Sequence, residues 1–161
     1  MADQTTVLQL VLNELGVANN ISTQDERIAI QKLVCLTQEA GLQMGYGFNW
    51  YVRGPYSPSL TSDYYQIAST RETVETDATK FVLLQSAKDA VGKVAMVKEV
   101  PAAVALPDVL WLELVASVAF LMRKYRYGVE AAREKIQNTK PALAPYFDVG
   151  HQRLLEVGIL E

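Results

Sequence analysis

Apolar residues in the first part of the chain recur at helical spacing. Val7, Leu8, Val11, Leu12 and Leu15 form one stripe over residues 5–15, and Gly16 supplies a C-terminal stop. "VANNIS" reads as a loop. "TQDE", residues 23–26, has the capping-box form, in which Thr23 accepts from the Glu26 amide while Glu26 reaches back. A second helix then runs to about Ala40, with a broad face of Ile28, Ile30, Leu33, Val34 and Leu36 and a stop at Gly41. In "YGFNWYV" the period changes to two. Tyr46, Phe48, Trp50 and Val52 alternate with Gly47, Asn49 and Tyr51, which predicts a short strand with one aromatic face. Gly54-Pro55 is read as the turn that follows. Ser57 has N-cap chemistry and Pro58 suits a first helical position, so a third helix is expected over 58–69.

The Thr- and Val-rich stretch "TRETVETDATKFVLL" predicts a β-hairpin, roughly 72–76 and 80–84, turning at "DAT". A helix over about 86–98 follows, and "VPAAVALP", 100–107, breaks it. Beyond the break, helices are expected over 108–125, 129–137 and 141–157, the last stopped by Gly158.

At 161 residues, half of them hydrophobic, the chain suits one domain or one domain with an appended helical part. The net charge of −3 argues against a generally nucleic-acid-coated protein, although a local patch can still bind DNA. The single cysteine, Cys35, excludes an intrachain disulfide and sits in the apolar run "LVCL", where a buried free thiol is expected. "MADQTTVLQLVLNELG" lacks the basic start of a secretory signal, and a cytoplasmic location is expected. "VLWLELVASVAFLM", 109–122, contains Glu113 and falls short of the roughly 20 apolar residues of a membrane span, so a buried central helix is predicted.

The expected order of helix, helix, aromatic strand, helix, hairpin, helix is that of a winged helix with an insertion between its second and third helices. "AIQKLVCLTQEAG", "YGFNWYVRGPYSPSL" and "KFVLLQSAKDAVGK" resemble three anchor blocks of the YwgA-like family of bacterial and archaeal proteins. They are distantly similar to the Panacea-type antitoxin domain, which also carries a "QKL" helix and an aromatic-bearing "GP" turn. The resemblance covers roughly residues 24–95 and departs at Arg53, where the family often has an aromatic residue. It implies a fold and a regulatory or defence-associated setting, with no catalytic residues.

The resulting expectation is a mainly α fold with a small β element. A winged helix-turn-helix-like domain with an inserted aromatic strand and turn, residues 1–100, is followed by a three-helix layer, 101–161, packed on it as one structural unit. Two functions fit. One is a non-enzymatic, winged-helix, DNA-binding regulator, dimeric through apolar helix 108–122. The other is a protein-interaction module, antitoxin- or adaptor-like, that uses the tyrosine-rich surface of residues 46–65.

Five of the eight tyrosines, Tyr46, Tyr51, Tyr56, Tyr64 and Tyr65, fall in that surface, where they either pack a corner or form a contact face. The candidate DNA- or partner-binding residues are Tyr51, Arg53, Tyr56, Ser59, Ser62, Gln66 and Arg71. Asp63 is expected to face outward with the third-helix set, and Asp63, Glu72, Glu75 and Asp77 would oppose a phosphate backbone. A secondary basic patch comprises Arg123, Lys124, Arg126 and Arg133, with Tyr125 and Tyr127 interleaved; it reads either as a nucleic-acid surface or as helix-end charge complementation. His151 has no companion ligands, and no P-loop or dinucleotide motif occurs, so neither a cofactor nor a metal is expected.

Overall fold

The computed structural model describes residues 2–161. Helix α1, Gln4–Leu15, starts where the Asp3 carboxylate accepts from the Thr6 amide at 2.9 Å and stops at Gly16, whose φ of +69° suits glycine. Helix α2, Gln24–Glu39, opens on the expected Thr23–Glu26 capping box. A two-stranded antiparallel sheet follows, β1 (Asn49–Tyr51) and β2 (Gly54–Tyr56), with Trp50 opposite Pro55. Helix α3, Pro58–Ser69, begins with Ser57 Oγ accepting from the Leu60 amide. Then come α4 (Arg71–Ala78), α5 (Gln85–Val97) and α6 (Asp108–Ala119), and α6 runs on into a π-helical turn, Phe120–Lys124. Helix α7 (Val129–Thr139), a 3₁₀ turn (Ala144–Tyr146) and α8 (Phe147–Glu156) complete the chain.

Helix α6 is the axis of the molecule. It lies against α2 and α8, and Trp111 through Ala119 are all buried. The Trp111 indole donates to the Val97 carbonyl at 2.8 Å, which ties α6 to the end of α5. Helix α1 packs on α4 and α5. The apolar area that suggested a dimer surface is therefore covered by the chain's own helices. None of the helices among the described residues is long and apolar enough to cross a membrane.

The structure departs from the sequence reading in five places. The hairpin expected over 72–84 is absent: residues 71–78 form α4 and 79–84 carry no strand. Val74 and Ala78, four apart, are both buried, so burial on a helical period outweighed the β-propensity of the threonines. Gly54-Pro55 is not the turn; Val52-Arg53 is, and Gly54-Pro55-Tyr56 forms the second strand. The alternation over 46–52 holds in burial for Tyr46, Phe48 and Trp50, yet regular pairing is confined to 49–51 and Val52 is 91% exposed. The helix expected over 108–125 turns π-helical from Phe120, and the helix expected over 141–157 begins only at Phe147, after the 3₁₀ turn.

Two glutamines hold the irregular segment between α2 and α3. Gln38 donates to the Tyr46 carbonyl and accepts from the Tyr46 amide, both at 3.0 Å. Seven residues earlier on the same helix, Gln31 does the same to Ser57, at 3.0 and 2.9 Å. A side-chain amide matches one residue's backbone donor and acceptor, so each contact satisfies two buried groups at once. The chain from Tyr46 to Ser57 is thereby pinned at both ends to α2, and the hairpin projects from a fixed base.

Candidate functional site

Three charged side chains lie beneath the hairpin. Lys32 on α2 is 1% exposed and donates to the Pro55 carbonyl at 2.8 Å. Lys140, just after α7, is buried; it donates to the Val52 carbonyl at 2.8 Å and pairs with Glu113 of α6 at 3.0 Å. The Trp50 ring lies over the Lys140 ammonium at 5.2 Å. Buried charge is tolerated only where it is paired and hydrogen-bonded, and here the bonds go to hairpin carbonyls. Gly54 closes this arrangement. Its φ is +87°, and a Cβ there would meet Ser117 Oγ at 2.5 Å, Lys140 Cε at 3.6 Å and Lys32 Nζ at 3.8 Å. The hairpin backbone therefore rests directly on α6 and on both ammonium groups.

Above this base, α2, the hairpin tip and α3 enclose a cleft of about 300 Å³. Helix α2 contributes Gln24, Arg27, Ile28 and Gln31, a stripe at helical spacing, and Lys32 beside it. Arg53 comes from the turn and Tyr56 from β2, while α3 supplies Thr61, Tyr64 and Tyr65. The Tyr56 hydroxyl meets Thr61 Oγ1 at 2.6 Å, and Gln31 donates to the same oxygen at 3.0 Å. Tyr51 stacks edge-on against Tyr56, with ring centroids 5.2 Å apart. No carboxylate lines the cleft.

The tyrosines divide between the two roles offered by the sequence. Tyr46 and Tyr64 are core residues; Tyr46 donates to Asp63 at 2.7 Å, and burial together with that carboxylate pushes its hydroxyl far above the ordinary phenol range. Tyr51 and Tyr65 are about half exposed. Asp63, expected on the outer face of α3, is thus half-buried and engaged. Ser59, Ser62 and Gln66 are exposed on α3, but none of them lines the cleft, and Arg71 donates to the Asn19 carbonyl at 3.3 Å. Glu72 and Glu75 are exposed on α4, and Asp77 pairs with Lys80 at 3.5 Å.

Half of the basic cluster is neutralised within the chain. Arg123 pairs with Glu39 at 3.7 Å and donates to the Ile159 carbonyl. Arg133 pairs with Asp148 and Glu130 and lies over the Phe147 ring. Lys124 and Arg126 are exposed, the latter with a φ of +60°. His151 stacks on Phe147, and burial pushes the Cys35 thiol well above its ordinary range. Among the described residues, no group of three or more His, Cys, Asp or Glu side chains could hold a metal ion.

Arg27, Gln31, Lys32 and Thr61 were missed as site residues, although "QKL" carries two of them. The signal was the stripe Gln24, Arg27, Ile28, Gln31, which places polar groups at the edge of the buried face of α2. Protein-family models, curated proteins and solved structures give no match to this chain.

The setting of Lys32 has a measurable consequence. Burial pushes its ammonium down to about 8 from 10.5, with Lys140 and Arg53 adding to the shift while Cys35 and Glu113 oppose it. Between those values the unfolded chain binds more protons than the folded one, so this group raises stability as pH rises through the window. Cys35 and Tyr46 act the other way, but only above their ordinary values of 9.0 and 10.0. The stability of the wild type relative to Lys32→Met should therefore climb between about pH 7.5 and 9, by about 1 kcal/mol. Denaturant melts of both proteins at several pH values check this; a pH-independent difference would contradict it.

Proposed function

We propose that this protein is a non-enzymatic interaction module that binds a segment of a partner protein in the cleft between α2, the hairpin and α3. The observation that carries the proposal is the cleft itself: tyrosine rings, and cations that have no ion-pair partner among the described residues, on a base whose backbone is fixed by Gln31, Lys32 and Lys140. Tyrosine combines apolar area with a polar tip, and a pinned backbone lowers the ordering cost of binding. The contact face extends past the cleft to exposed Tyr51 and Val52, which suits a macromolecular partner better than a small enclosed ligand. The resemblance to Panacea-type antitoxin domains points to the same class. A winged-helix regulator that binds duplex DNA is the competing reading. It loses support because residues 71–78 are helical and because two of the four residues of the basic cluster, Arg123 and Arg133, are internally paired.

The test is an array of random octapeptides probed with the whole chain. Octapeptide binding is expected, and Tyr65→Ala should weaken it by about 2 kcal/mol, roughly thirtyfold, with the melting temperature nearly unchanged because the ring is 49% exposed. Absence of peptide binding, with salt-sensitive binding of a duplex in its place, would overturn the proposal.

A further inference from the structure

Resting on the reading of the cleft as a partner-binding site, we infer that the bound segment presents a side-chain carboxylate next to an apolar residue, and that Arg53 and Arg27 receive the carboxylate. Charge is the first observation. Arg27, Lys32 and Arg53 line the cleft and no Asp or Glu does. The acids on neighbouring turns are engaged or lie off the lining: Glu26 is folded back onto Thr23 and Ser22, and Asp63 is bound by the Tyr46 hydroxyl. Asp25 is exposed in the first turn of α2 and does not line the cleft.

The second observation is donor capacity. Arg53 makes no hydrogen bond or ion pair among the described residues. Arg27 makes one bond, to the Ile21 carbonyl at 2.7 Å. A guanidinium has five N–H donors, so most of this capacity faces the cleft or solvent. Lys32 adds a buried positive charge with one protein acceptor, Pro55 O. An entirely apolar occupant would desolvate these groups without compensation, whereas a carboxylate compensates them with charge-assisted bonds.

The third observation is what else is available. Both helix N-termini beside the cleft are already capped, α2 by Thr23 and Glu26 and α3 by Ser57, so recognition of the anion falls to the guanidinium groups. Beside them lie Ile28 and the Tyr64 and Tyr65 rings, which offer apolar contact. At about 300 Å³ the cleft holds a short stretch of side chains, and the duplex backbone's repeating charge has no matching row of cations here.

The same octapeptide array separates this inference from the broader reading. The expected result is enrichment of peptides with Asp or Glu adjacent to an apolar residue. Arg53→Glu should lower the affinity of the enriched peptides at least about tenfold and erase most of the acidic preference. Arg53→Gln, which only removes charge, should weaken them less and reduce the acidic bias without erasing it, because Arg27 and Lys32 remain. Arg53 is exposed and unbonded, so both variants should keep the wild-type melting temperature. Peptides that bind with no acidic bias, or a bias that Arg53→Glu leaves intact, would overturn the carboxylate assignment while leaving the interaction module standing. An array that stays blank while a 20-base-pair duplex (about two helical turns) binds would overturn both.

Discussion

Gly54→Ala is expected to destabilise the protein by about 3 kcal/mol or more. Two costs add. At φ +87° an L-residue is strained, which accounts for about 1–2 kcal/mol. The new methyl group would also sit 2.5 Å from Ser117 Oγ, on a helix buried from Trp111 through Ala119, so the hairpin must lift. Lifting it stretches the Lys32–Pro55 and Lys140–Val52 bonds together. Combining Gly54→Ala with Ser117→Ala removes the oxygen and should recover part of the loss, leaving the conformational strain. Chemical denaturation of the four proteins measures this; a Gly54→Ala cost under about 1 kcal/mol, which strain alone would meet, would show that the hairpin does not bear on α6.

The second large effect is at Glu113. Glu113→Ala should cost about 3–5 kcal/mol, because it leaves the Lys140 ammonium buried with its charge uncompensated. The loss belongs to the broken pair and not to the pair's net worth. Replacing both partners, Glu113→Leu with Lys140→Met, should therefore be much milder than the single change. It should still lose the bond from Lys140 to the Val52 carbonyl, about 1 kcal/mol. Glu113→Leu, Lys140→Met and the double variant in one denaturation series give the coupling energy directly; additive costs would contradict the pairing.

The sequence carried most of the helical framework because the signals there were local. Asp3, Thr23 and Ser57 cap helices through their own side chains, and Gly16 ends one through its own backbone. The misreading at 71–78 came from weighing threonine's β-propensity over the spacing of Val74 and Ala78, a helical period that α1 covers. The site was only half legible. The rings and Arg53 stood out in "NWYVRGPYSPSL", but the residues that hold them act over long sequence separations. Gln31 reaches Ser57 across 26 residues and Lys140 reaches Val52 across 88. No local pattern announces such bonds. Glu113 was legible only as an anomaly in an apolar run; its partner, Lys140, stood in a basic cluster that suggested a surface.

The cleft of α2, the hairpin and α3 is the proposed binding surface. The measurement that tests it most directly is a titration of ¹⁵N-labelled protein with the tightest octapeptide from the array, followed by amide chemical shifts. Shifts should concentrate at Arg27–Lys32, at Tyr51–Tyr56 and at Thr61–Tyr65, and they should weaken in Arg53→Glu. Shifts confined to residues 123–140, or spread over the surface with none in the cleft, would contradict it.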